Sequence, residues 1–164
     1  MTVSKHPGQF NMAFLQEAIQ LGIESADKGL GGPFGCVVVK NGMVIGRGCN
    51  CVTSRNDPTA HAEMMAIRDA CKAIDSFSLA GCAVYASCEP CPMCLGAVYW
   101  ARPDALFFAS TRRDASAVGF DDDLIYHELA LPIGERKIVT ACYAVPEAQR
   151  LLDDWKNKPG RIEY

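Results

Sequence analysis

The chain has 164 residues, about half of them hydrophobic and a fifth charged, with a formal net charge of −3. That balance fits one globular domain with a core of its own. A net acidic total argues against the basic face that nucleic-acid binding needs, and no apolar run approaches the length of a membrane span.

The first ten residues are polar and hold no apolar signal core, so the expectation is no secretion signal and a cytoplasmic protein. Nine cysteines stand at positions 36, 49, 51, 71, 82, 88, 91, 94 and 142. An odd count in a chain of this length, with no signal ahead of it, points to a reducing compartment rather than a disulfide framework. Cys36, Cys71, Cys82 and Cys142 lie in apolar surroundings and read as small buried hydrophobes.

In chain order, residues 10–28 carry apolar side chains at helical spacing. Residues 29–33 stop that helix. Residues 34–39 and 43–49 are β-rich and flank Asn41-Gly42, a strong hairpin signal. Residues 59–74 read as a helix, with Pro58 near its start and Asp57 or Thr59 as a candidate cap. A third strand is expected at 82–87, a helix at 92–102, a fourth strand at 105–109, a fifth at 138–144, and a last helix at 145–155. A hairpin followed by alternating helices and strands gives a mixed sheet covered on both faces.

The chemistry concentrates in two segments. Cys88-Glu89-Pro90-Cys91-Pro92-Met93-Cys94 places Cys91 and Cys94 at a helix start, where exposed N–H groups and the helix dipole favour thiolates. A spacing of three puts both on one face. Upstream, His61-Ala62-Glu63 supplies an imidazole and a carboxylate. Cys-x-x-Cys alone also suits a redox pair, but that reading needs a thioredoxin-like context, and His61 offers a better partner. One imidazole and two thiolates make three ligands, the number of a catalytic zinc site that leaves its fourth position to water. Residues two apart in a helix face opposite sides. If His61 binds metal and Glu63 serves the same site, His61 must therefore stand in the first turn or just before it. Glu63 is then the candidate general base and acid. A structural zinc module is the non-enzyme alternative. It would lack Glu63 or add a fourth cysteine or histidine ligand.

The two segments together resemble the H-x-E…P-C-x-x-C signature of the zinc-dependent nucleobase deaminases, the cytidine-deaminase-like superfamily. Within it the chain looks most like the short guanine deaminases. Gly31-Gly32-Pro33-Phe34-Gly35, Asn56-Asp57-Pro58-Thr59, Tyr99-Trp100-Ala101-Arg102-Pro103, Gly119-Phe120-Asp121-Asp122 and the terminal Ile162-Glu163-Tyr164 carry the likeness, from about residue 10 to the end. The resemblance implies a three-layer α/β/α sandwich around a mixed five-stranded sheet. It implies one deaminase domain over 1–164 and a homodimer that exchanges residues 145–164. It further implies a small purine substrate, with zinc hydroxide attacking C2 of guanine to give xanthine and ammonia.

By that resemblance His61, Cys91 and Cys94 are the zinc ligands and Glu63 is the proton shuttle. Asn50 holds the purine edge, the Ala62 N–H faces the substrate carbonyl, and Asp122 meets the N–H edge of the base. Tyr164 is a lid, and Phe34, Trp100 and Phe120 are ring walls. Cys88 is an extra thiol whose exclusion from the ligand set the sequence leaves open. Guanosine deaminase is the nearest alternative, and amino-triazines copy the same hydrogen-bonding edge. tRNA adenosine deaminases share the metal motifs but need a polyanion surface. The Asp121-Asp122-Asp123 run disfavours that reading. It suits a donor edge such as N1–H and the 2-amino group, because ionised carboxylates only accept.

Overall fold

The computed structural model describes residues 10–164. The reading of the polar N-terminal stretch therefore falls almost wholly outside the described residues. The chain divides into two compact units, Met1–Asp123 and Leu124–Tyr164. No helix among the described residues is long and apolar enough to cross a membrane.

Helix α1 (Met12–Asp27) buries Leu15, Ala18, Gly22 and Ser25 along one face. Asn11 caps it by accepting the Ala13 N–H at 3.0 Å, which satisfies one of the free donors of the first turn. Strands β1 (Gly35–Lys40) and β2 (Met43–Cys49) form the expected antiparallel hairpin. At its tip Asn41 and Gly42 have φ of 51° and 75°, the left-handed pair a two-residue turn requires. A short helix α2 (Val52–Arg55) follows, then α3 (Ala62–Ala73), β3 (Cys82–Cys88), α4 (Pro92–Ala101), β4 (Ala105–Ser110) and α5 (Arg112–Ala117).

The sheet runs β2-β1-β3-β4. β1 pairs antiparallel with both neighbours, and β3 pairs parallel with β4 across the α4 crossover. Strand β1 is buried on both faces and divides its side chains by parity. Cys36 and Val38 pack with Ala62, Ala66 and Ala70 of α3 and Ala101 of α4. Val37 and Val39 pack with Leu15 and Ala18 of α1 and with Tyr85 of β3. Each fully buried valine contributes roughly 1.5–3 kcal/mol relative to exposure. This gives the α/β/α sandwich, with α1 on one face and α3 and α4 on the other. The helices lie directly on the sheet backbone: a Cβ at Gly35 would strike the Ala18 carbonyl, and one at Gly48 the Ala62 carbonyl. The Gly48 approach sets the height of the start of α3.

The central sheet has four strands, not the five expected. Residues 138–144 form no ladder, and Ile138, Val139 and Tyr143 are 79%, 96% and 84% exposed. The β-rich composition reports that a pleated surface would suit these side chains. A strand also needs a partner edge, and this segment has none in its own unit. Cys142, read as buried, is exposed there for the same reason. Helix α6 (Asp122–Ala130) bridges the boundary in sequence. The second unit adds a 3₁₀ turn (Ile133–Glu135) and α7 (Pro146–Asn157), which buries no residue.

Candidate active site

His61 is the N-cap of α3, with extended backbone at φ −71° and ψ 157°. The turn before it is built by Asp57. Its Oδ1 accepts the Thr59 N–H at 2.8 Å and the Thr59 hydroxyl at 2.7 Å, and the His61 N–H then donates to the Thr59 carbonyl at 2.8 Å. His61 therefore stands outside the helix, while Glu63 occupies its first turn. That placement removes the conflict of a two-residue helical spacing. Cys91 is likewise the N-cap of α4, with Pro92 in the first turn. Pro lacks the N–H that would be unpaired there and has its φ preset for helix. Both helices thus begin at the C-terminal end of β3.

The ligand atoms of His61, Cys91 and Cys94 all lie within 4.8 Å of one another, and Cys91 Sγ is 3.6 Å from His61 Nδ1. Both cysteines are buried and His61 is half-buried. The neighbouring Cys94 thiol, then His61 and the Cys94 backbone N–H, pull the Cys91 pKa down to about 4. The neighbouring Cys91 sulfur, burial and Glu63 push Cys94 up. His61 is raised by its contact with Cys91, with lesser help from Glu63 and Asp122. Two cysteine sulfurs and an imidazole converge with no fourth His, Cys, Asp or Glu in the cluster among the described residues. That donor set fits zinc in an open, three-ligand site. A dication placed there favours the Cys94 thiolate as well. Cys88 lines the cavity beside this group but stays outside it. Burial pushes its pKa up to about 11, and its thiol donates to the Thr111 carbonyl at 3.5 Å.

The cluster opens on a cavity of about 230 Å³. His61, Cys91 and six other expected site residues meet there: Phe34, Asn50, Ala62, Glu63, Phe120 and Asp122. Trp100 does not join the lining and is 65% exposed on α4. Tyr164 belongs to the second unit and is exposed. Glu63 is 7% exposed, and burial raises its pKa. Asp122 is raised too, by partial burial and then by the charge on Cys91. Phe34 and Phe120 meet edge to face, ring centroids 4.6 Å apart.

Asn50 is clamped from every side. Its Oδ1 accepts the Gly32 and Val52 N–H groups, each at 3.2 Å. Its backbone N–H donates to the Phe34 carbonyl at 3.0 Å, and its carbonyl accepts the buried Ser25 hydroxyl at 2.7 Å. With Oδ1 committed, the side chain offers the cavity an N–H donor. Gly31 makes this possible, since a Cβ there would collide with the Asn50 Oδ1 and sit 2.6 Å from its backbone oxygen.

Gly32, Val52, Thr53 and Glu89 also line the cavity, and the sequence had not marked them for that position. Val52 and Thr53 ride on α2, which is too short for periodicity to reveal. Glu89 was visible inside the cysteine motif, but only folding shows its carboxylate accepting the Arg112 N–H at 3.0 Å.

Residues 9–110 match the family model described as the cytidine and deoxycytidylate deaminase zinc-binding region. The chain is 49% identical over 151 residues to the guanine deaminase of Bacillus subtilis (strain 168), spanning 92% of this chain and 97% of that protein. A solved X-ray structure of guanine deaminase from Bacillus subtilis superposes with a TM-score of 0.92 at 47% identity, covering 95% of this chain and 99% of that one. The tRNA-specific adenosine deaminase of Aquifex aeolicus (strain VF5) is more distant, at 32% identity over 145 residues, 88% of this chain and 93% of that protein. Motif, donor geometry and full-length similarity agree: the chain belongs to the guanine deaminase family of the cytidine-deaminase-like zinc deaminases.

Proposed function

We propose that the chain hydrolyses guanine to xanthine and ammonia, with zinc held by His61, Cys91 and Cys94. The observation that carries this is one cavity lined by His61, Cys91, the buried Glu63 and Asp122, with Cys94 behind it in the same three-donor cluster. Zinc, when bound, supplies a water whose pKa is lowered to about 7. Glu63 carries protons from the water side to the ring nitrogen and then to the departing amine. Its raised pKa moves it toward the operating pH, where a group that must both take and give protons works best. Asp122 accepts from the N–H edge of the base, and the Asn50 amide donates to an acceptor on the purine. The Ala62 N–H faces the substrate carbonyl, and Phe34 and Phe120 hold the ring.

The cavity volume supports a free base over guanosine, since about 230 Å³ lies below the ~300–1,000 Å³ of typical ligand sites. The net charge of −3 and the Asp121–Asp123 run weigh against a tRNA substrate. The test offers guanine, guanosine, cytosine, cytidine and adenine to the zinc-loaded protein and follows ammonia release. Guanine is expected to turn over fastest. Faster turnover of guanosine reassigns the substrate.

Residues 1–164 are proposed to act as one deaminase domain in a homodimer, with 145–164 exchanged so that Tyr164 serves as a lid on the partner. The exposed Leu151, Leu152 and Trp155 of α7 support an apolar partner for that segment. Sedimentation of the full chain is expected to return twice the monomer mass, and a monomer ends this reading. Nine free thiols support the cytoplasm as its compartment.

A further inference from the structure

We infer that Cys49 and Cys51 form a dithiol modification site, which small-molecule disulfides convert to an intrachain disulfide that displaces Asn50 from the cavity. Their sulfurs lie 3.6 Å apart, in van der Waals contact and on either side of Asn50. Neither residue lines the cavity, and neither belongs to the metal cluster. Cys49 is partly exposed and Cys51 is buried. Burial, and then the neighbouring Cys49, hold the Cys51 thiol above its ordinary pKa.

That asymmetry orders the chemistry. The Cys49 thiolate attacks one sulfur of a disulfide RS–SR, forming a Cys49–SR bond and expelling RS⁻. The Cys51 sulfur then attacks Cys49 Sγ, the Cys49–SR bond breaks, and a second RS⁻ leaves. The two thiolates take up the protons of Cys49 and Cys51. The dithiol is oxidised by two electrons, and one disulfide molecule is reduced to two thiols.

The mechanical consequence follows from the anchors. A disulfide needs its sulfurs at about 2.05 Å, so the two side chains must close on each other across Asn50. The backbone on either side is held firmly. Cys49 pairs with Gly35 in the sheet, the Cys51 N–H donates to the Ala60 carbonyl at 2.9 Å, and the Asn50 carbonyl holds Ser25 at 2.7 Å. The two bonds to Asn50 Oδ1, each 3.2 Å, are longer than the Cys51 and Ser25 contacts. Strain therefore leaves through the Asn50 carboxamide, which turns away from the ligand.

The experiment exposes the zinc-loaded protein to oxidised glutathione, maps disulfides by peptide mass, measures retained zinc and follows ammonia release. The expected result is a Cys49–Cys51 link with two hydrogens lost, zinc retained, and activity down roughly tenfold to a hundredfold, the scale of a misplaced positioning group. A thiol reductant restores it. C49S and C51S are expected to keep the basal rate and lose the response. The activity arm rests on the deaminase reading, whereas the mass map does not depend on any substrate. Absence of the link, a Cys91–Cys94 link with zinc released, or a formed Cys49–Cys51 link with unchanged turnover overturns the inference.

Discussion

His61 Nδ1 lies 3.6 Å from the sulfur of Cys91, although thirty positions separate the two residues in the chain. Each is the cap of its own helix, so the contact joins two helix N-termini rather than two points on one element. Removing the metal is therefore expected to stop catalysis without dismantling the sheet. Chelator-treated protein should lose ammonia release, keep its far-UV circular dichroism and recover on adding zinc. Full turnover in metal-free protein excludes the metal from the reaction.

Glu63 is buried beside this pair but is not part of the three-donor cluster. Glu63→Gln preserves shape and removes the proton-carrying function. Bound zinc should remain at one per chain while kcat falls about 10²–10⁴-fold, the usual loss for a general acid–base. Zinc content and steady-state rates measured on the same sample separate the two effects. A variant with normal kcat ends the shuttle role.

Asp57 builds the turn that presents His61, and its hydrogen bonds from Thr59 hold its carboxyl below the ordinary value of 3.8. A depressed carboxylate contributes stability that is fully present above its unfolded pKa and is lost as pH falls through the folded one. Asp57→Asn removes that charge-dependent contribution. The gap in melting temperature between wild type and variant should be constant near neutrality and shrink below pH 3.8. A gap that does not change with acid contradicts the assignment.

Gly31 is close to the Asn50 carboxamide because it has no side chain. Gly31→Ala is expected to push that amide off its two backbone donors. KM for guanine should rise by roughly an order of magnitude, about 1.4 kcal/mol, with zinc content unchanged. An unaltered KM in a folded variant places Asn50 outside substrate binding.

The elements legible in the sequence are those whose cause lies within a few positions. Asn41-Gly42 turned where its left-handed preference dictates. Pro92 opened α4 because its ring suits a first turn, and the Cys91/Cys94 spacing forces a common face. His61 ahead of its helix was likewise demanded by the need to share a site with Glu63. Among the misses, which include α5 and α6, two had a different cause. Helix α2 has four residues, fewer than a hydrophobic period needs to declare itself. Residues 138–144 carry strand-forming side chains, yet pairing is a property of two segments and is not written in one.

The sequence alone determined the donor types and their order, because covalent spacing and local backbone preference act over one helical turn. Tertiary structure alone decided that Asn50 presents its amide N–H, that Phe34 and Phe120 share a wall which Trp100 does not join, and that the sheet stops at four strands. Those outcomes depend on which surfaces meet across long sequence separations, where contact energies from many residues compete and no local pattern records the winner.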